Sequence, residues 1–230
     1  MKLRYALPLL VSVAFALSAF SQNISSADSV VLNKILEGNR QYQTIRTQFQ
    51  HDRYKGDKLR HRFGTLYYEA LHPKNKKDVS ALISMLYSDP KGEYYIITDK
   101  KLHNVISGFH LHFNYKIIPL MKQLGNAMAW AMKGDIYSLY DNFNVDLKIT
   151  ADNNFYIVSL DSRRGFNKGI NRLVLKYDKK NYLISYMLME EKLGVTHIYT
   201  IGKDAAGHIH QPVFNQPIDA AVFSVEGRMR

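Results

Sequence analysis

The chain has 230 residues, no cysteine, and a formal charge of +11 from 31 lysines and arginines against 20 acidic side chains. Without cysteine, neither a disulfide nor a lipid-bearing cysteine is available. Nucleic acid is a poor partner for it, because the basic residues form no compact stripe with interleaved aromatics.

The first segment, MKLRYALPLLVSVAFALSAFSQ, carries Lys2 and Arg4, then an apolar run from Leu7 to Phe20 and small residues at Ala16, Ser18, Ala19 and Ser21. The run is too short for a membrane anchor and reads as a secretory signal peptide over residues 1–21, cleaved after Ser18 or Ser21. Residues 22–230 are then expected to form a single exported domain. Loss of Lys2 and Arg4 takes the charge from +11 to +9.

SSADSVVLNKILEGNRQYQ, residues 25–43, places Val31, Leu32, Ile35 and Leu36 on one side and predicts an amphipathic helix capped by Ser26 or Asp28. The pattern then changes to strands. IRTQFQHDRYKGD, RFGTLYYEA and SALISMLYSDPKGEYYIITDKKLHNVIS are rich in β-branched and aromatic residues and are broken by turn formers such as Asp89-Pro90-Lys91-Gly92. A second series contains NFYIVSLD, GINRLVLKYD, NYLISYMLMEE and VTHIYTIGK, again separated by short turns. The expected fold is α+β and mainly antiparallel. Several strands are apolar on both faces: Leu82 and Leu86 oppose Ile83 and Met85, and Ile184 and Leu188 oppose Leu183, Met187 and Met189. A sheet with one wet face would alternate apolar and polar residues, so these strands must be covered on both sides.

Between the two series lies PLMKQLGNAMAWAMKGD, residues 119–135. At 100° per residue, Ile117, Ile118, Met121, Leu124, Gly125, Met128 and Met132 share one apolar arc, and Gly134 supplies a stop. Methionine suits ligands of variable shape, and Gly125 weakens the helix by about 1 kcal/mol relative to alanine. Trp130 lies opposite that arc and requires a second cover.

Two His-x-His pairs, His110 with His112 and His208 with His210, have a spacing that puts both imidazoles on one strand face and could grip zinc. They make a secreted zinc-binding protein or enzyme the alternative from a different class. The ligand count is incomplete, so surface histidines are the simpler reading and no metal or other cofactor is expected. No Gly-x-Ser-x-Gly elbow, phosphate loop or dinucleotide fingerprint is present. A non-enzymatic protein is therefore expected.

The order IRTQFQ, FGTLYYEA, YSDPKGEYYIITDKKLHNVI, the mid-chain helix before YDNFNVDLK, the run from FYIVSLDSRRGF to VTHIYTI, and the ending NQPIDAAVFSV resembles the LolA family of periplasmic lipoprotein carriers. The resemblance implies a curved half-barrel sheet covered by a few helices, with acyl chains held between sheet and helical lid. It implies a periplasmic carrier, a monomer, loaded with lipoprotein or another acylated or polyene-like lipid by an inner-membrane transporter and relieved by an outer-membrane acceptor. On this reading Met121, Leu124, Met128 and Met132 line the lid side of a ligand site. Leu66, Tyr68, Leu82, Leu86, Met187 and Met189 line its sheet side. One departure stands out. Many family members latch the lid with the arginine of an Arg-Pro pair, whereas YYEALHP here has Ala70 and Leu71, with Pro73 two places late.

Overall fold

The computed structural model describes residues 24–72, 79–106, 109–114, 119–163 and 170–225; the expected signal peptide lies outside the described residues. Helix α1 (Ser26–Arg40) begins at Ser25, whose hydroxyl accepts from the Asp28 amide at 3.1 Å. The cap is thus one residue earlier than expected, and Asp28 instead places its charge in the first turn, where the helix dipole favours it. Leu32 and Ile35 on its inner face are fully buried.

The first meander comprises β1 (Thr44–Lys55), β2 (Lys58–Ala70), β3 (Ala81–Asp89), β4 (Tyr94–Ile97), β5 (Lys101–Ile106) and β6 (Phe109–Asn114). The second comprises β7 (Val145–Ala151), β8 (Phe155–Ser162), β9 (Ile170–Asp178), β10 (Ile184–Glu191) and β11 (Val195–Ile201). Pairing of β1 with β11, from Phe49 opposite Ile201 to Lys55 opposite Val195, joins them into one antiparallel sheet. Its order is β6-β5-β4-β3-β2-β1-β11-β10-β9-β8-β7, with a short β12 (Val213–Phe214) beside the start of β1. The two ends of this sheet do not pair, so it is an open half-barrel.

Directly opposed residues of an antiparallel ladder share a face. Ile45, Tyr68, Ile83 and Ile97 form one such row, and all belong to the core that also holds Leu32 and Ile35 of α1. That face is concave and helix-covered. The other face of the first meander carries Leu86, Tyr94, Ile96 and Val105, a separate apolar cluster that Val225 packs against. A single 3-10 turn, Ala220–Phe223, holds this C-terminal segment down: Ser84 Oγ donates to the Val222 carbonyl at 2.9 Å. In β3, which reads as apolar on both faces, Ile83 and Met85 join the main core and Leu86 the cluster under Val225; in β10, Ile184 and Met187 join the main core, whereas Leu188 belongs to neither cluster.

Helix α2 (Pro119–Lys133) and helix α3 (Ile136–Asn142) lie between the meanders in sequence. Gly134 ends α2 as expected, with φ of +71°, and a Cβ there would lie 2.7 Å from Ile35 Cγ2 of α1. Both the left-handed backbone and the close approach therefore favour glycine. Asp135 then caps α3 by accepting from the Ser138 amide at 3.1 Å. Trp130 is 5% exposed and meets Phe143 edge to face at a centroid distance of 6.5 Å. The second cover that Trp130 requires is thus the residue that follows α3.

Three contacts fix the helices at one end of the sheet. Tyr177 Oη, on the concave face of β9, donates to the Ala131 carbonyl of α2 at 2.7 Å. Asn39 of α1 donates to the Tyr182 carbonyl at 2.5 Å. Gly38 admits the Tyr182 ring, which a Cβ would meet at 2.3 Å.

Candidate functional site

Where that packing ends, a cavity of about 470 Å³ lies between α2 and the concave face. Ala127, Met128 and Ala131 form its helical side. Leu102 and Phe113 from the first meander and Leu173, Met187 and Met189 from the second form its apolar walls. A much smaller void of about 30 Å³ sits alongside, bounded by Ala127, Leu139, Phe143 and Leu160.

The expected site residues separate into groups. Met128, Met187 and Met189 stand on the cavity wall. Leu66 and Tyr68 are on the concave face but only 2% exposed, closed into the core, and Met132 at 3% is buried with them. Leu82 and Leu86 are a correction of face: they oppose Glu69 and Thr65, whereas their neighbours Ile83 and Met85 oppose Tyr68 and Leu66 on the concave side. Leu86 belongs to the convex cluster under Val225. The side chains of Met121 and Leu124 lie outside the described residues, as do Ile117 and Ile118. In β10 a bulge between Ile184 and Tyr186 puts Ile184 and Met187 on the same face, where simple alternation would separate them.

One wall of the cavity is polar. His51 on β1 directly opposes Tyr199 on β11, and His197, two residues away, opposes Arg53. The His51 and Tyr199 rings stack at 4.3 Å between centroids. A continuous hydrogen-bonded chain crosses this wall. Tyr87 Oη lies 3.0 Å from His51 Nδ1, His51 Nε2 lies 2.9 Å from His197 Nδ1, and His197 Nε2 lies 3.2 Å from Glu191 Oε1.

Glu191, as a carboxylate, can only accept, and this fixes the direction of the whole chain. His197 Nε2–H donates to Glu191, leaving Nδ1 to accept from His51 Nε2–H. His51 Nδ1 then accepts from the Tyr87 hydroxyl. With both imidazoles neutral, each of their four ring nitrogens has a partner within the chain.

The electrostatics favour that neutral state. Burial, then the charges of His197, Arg62 and Arg53, hold His51 far below the ordinary histidine value, at about 2. Burial also lowers His197, against the opposing pull of Glu191. Burial raises the Tyr87 phenol, so its hydroxyl remains a donor. Behind the wall, Arg62 and Glu93 form an ion pair at 2.9 Å with side-chain exposures of only 4% and 7%.

The His-x-His pairs stand apart from the cavity. His110 and His112 oppose Val105 and His103, residues of the convex face, with His103 to His112 ring centroids 4.8 Å apart. His208 and His210 occupy a loop rather than a strand, closed by a bridge between Lys203 and Ile209. Both turn to Asp204, at 3.5 and 2.6 Å, and these contacts hold the Asp204 carboxyl down at about 2. Among the described residues no group of three His, Cys, Asp or Glu side chains could hold a metal ion.

No family model and no curated protein matches the chain. Solved structures similar to it include a DUF1329 family protein from Desulfovibrio piger, at 13% identity and a TM-score of 0.44, over 86% of this chain and 97% of that one. A LolA superfamily protein from Nitrosomonas europaea is 9% identical over 86% of this chain and 98% of its own, with a TM-score of 0.42. MucB is 13% identical, with a TM-score of 0.45; the match covers 87% of this chain but 63% of MucB. The open curved antiparallel sheet with helices on its concave face is an α+β half-barrel, the architecture expected from the sequence.

Proposed function

We propose that this protein is a carrier of acylated cargo, which it holds in the cavity between α2 and the concave sheet. The observation that supports this most is the cavity itself. Its volume of about 470 Å³ lies within the range of about 300–1,000 Å³ usual for small-ligand sites, and methionines face it from both sides. Burying an acyl chain there would contribute about 0.8 kcal/mol per methylene, so a long chain offsets part of the packing lost where α2 gives way to it.

Within this reading the cargo is the acyl group of lipidated protein, received from an inner-membrane donor and passed to an outer-membrane acceptor. The carrier is periplasmic, works as a monomer and catalyses nothing. The polar chain of His51 and His197 closes on itself and gives the cavity a polar end without an unpaired charge on either histidine. Mass spectrometry of hydrophobic molecules co-purified from the native envelope tests the assignment. Lipid-modified peptides bound at stoichiometric amounts are expected; free lipid alone would shift the cargo, and no hydrophobic ligand of any kind would remove the carrier reading.

A further inference from the structure

The concave row next to the cavity holds an arrangement that the fold alone does not require. Arg53 on β1 and Arg60 on β2 are directly opposed in the ladder, so two like charges stand side by side. Such a pair destabilises a sheet. Among the described residues neither guanidinium makes a hydrogen bond or ion pair. The same row continues through His197, opposite Arg53, to Met189, opposite His197; both of these side chains line the cavity. Lys192, in the turn after β10, lines the cavity too. The nearby carboxylates are already engaged, Glu191 with His197 at 3.2 Å and Glu93 with Arg62 at 2.9 Å.

We propose that Arg53 and Arg60 clamp the anionic head, carboxylate or phosphate, of an amphiphile whose acyl chain runs past Met189 into the cavity under Met128. The inference rests on the carrier reading of the cavity; since the acyl anchor of a lipidated protein carries no such anionic head, it names a free anionic lipid as a further cargo of the same cavity. Guanidinium forks match carboxylate and phosphate oxygens bidentately, so a bound head turns the Arg53–Arg60 repulsion into two attractive contacts. Arg53 is half-buried and Arg60 exposed, so contacts to Arg53 are screened less than contacts at an open surface.

The test is displacement of a fluorescent long-chain fatty acid from the mature protein by four competitors. They are an unlabelled fatty acid, a lysophosphatidic acid, the uncharged alcohol of the same chain, and inorganic phosphate. Both acids are expected to bind about tenfold more tightly than the alcohol, and inorganic phosphate is expected not to compete. In the double variant Arg53→Gln/Arg60→Gln the advantage of the acids disappears, affinity for the alcohol is unchanged, and the thermal midpoint does not fall, since a repulsion has been removed. Equal binding of acid and alcohol, unaltered in the variant, would overturn the headgroup site and leave the carrier reading intact. Competition by inorganic phosphate at comparable concentration would overturn the amphiphile in favour of a simple anion site. Failure of every chain-bearing competitor and of the probe would overturn both.

Discussion

The imidazoles of His51 and His197 are stacked within 20° of parallel and joined Nε2 to Nδ1 at 2.9 Å, on the wall of an otherwise largely apolar cavity. A single proton could be accommodated by reversing the Tyr87 link, with the Tyr87 oxygen accepting from His51 Nδ1–H, so it is burial, the largest cause lowering both imidazoles, that keeps the pair neutral.

This makes stability pH-dependent with a definite sign. His51 is held at about 2 in the folded protein, against an ordinary value of 6.5, so below pH 6.5 the unfolded chain takes up a proton that the folded chain refuses. The stabilising contribution is complete above pH 6.5 and is lost progressively as pH falls toward 2. Between pH 7 and pH 5 His51 alone accounts for a loss of about 2 kcal/mol. Urea denaturation across that range is expected to show it, and a His51→Gln variant should show a flatter profile. Identical slopes in the two proteins would contradict the assignment.

The hydrogen bond from Tyr177 to Ala131 ties α2 directly to the concave face of β9. A phenol on the sheet donates directly to a carbonyl of α2 at 2.7 Å, in the core and out of reach of water. Tyr177→Phe removes the donor and keeps the ring, for an expected loss of about 1 kcal/mol. Amide hydrogen exchange should accelerate in α2 more than in α1, whose contacts to Tyr182 are untouched. Uniform acceleration in both helices would show that Tyr177 supports the fold generally and does not act as a latch.

Met128 and Met132 lie one turn apart on α2 but have different surroundings, the first on the cavity wall and the second 3% exposed in the core. Met128→Asp is expected to abolish fatty-acid binding while the protein remains folded. Met132→Ala should cost about 2–5 kcal/mol in stability, with binding retained in the folded fraction. Denaturation curves and fluorescent fatty-acid titrations on both variants separate the two roles, and a Met132→Ala protein of full stability that no longer binds would reverse them.

Opposite faces of β3 give a further contrast. Met85 belongs to the main core, whereas Leu86 packs with Val225 on the convex side. Truncating Leu86 to alanine should loosen the C-terminal segment held by Ser84, seen as faster proteolysis after Phe223, and leave fatty-acid affinity unchanged. A loss of affinity in Leu86→Ala would mean that the convex cluster also shapes the cavity.

The strands and their turns are legible in the sequence because β-branched and aromatic runs end at turn formers such as Asp89-Pro90 and Lys192-Leu193-Gly194. The bounds of α2 are legible at Gly134 for the same local reason. The inward faces are harder to read. In β3 both Leu82/Leu86 and Ile83/Met85 are apolar, because the C-terminal segment covers the convex face, and period-two alternation carries no information there. In β10 the bulge at Ser185 changes the parity between Ile184 and Met187. The seven residues of α3, IYSLYDN, are too few to display a helical period. The polar wall has no local signal at all: His51 and His197 are 146 positions apart, and only the register of β1 against β11 brings them together.

Trp130, the only tryptophan, sits on α2, the helix proposed to cover the acyl chain. Titration of the protein with a long-chain fatty acid, followed by Trp130 emission, therefore reads out the proposed uptake. A saturable change in emission is expected as the packing of Trp130 against Phe143 is disturbed, and none in Met128→Asp. A flat Trp130 signal together with no saturable binding of the fatty acid would contradict that uptake.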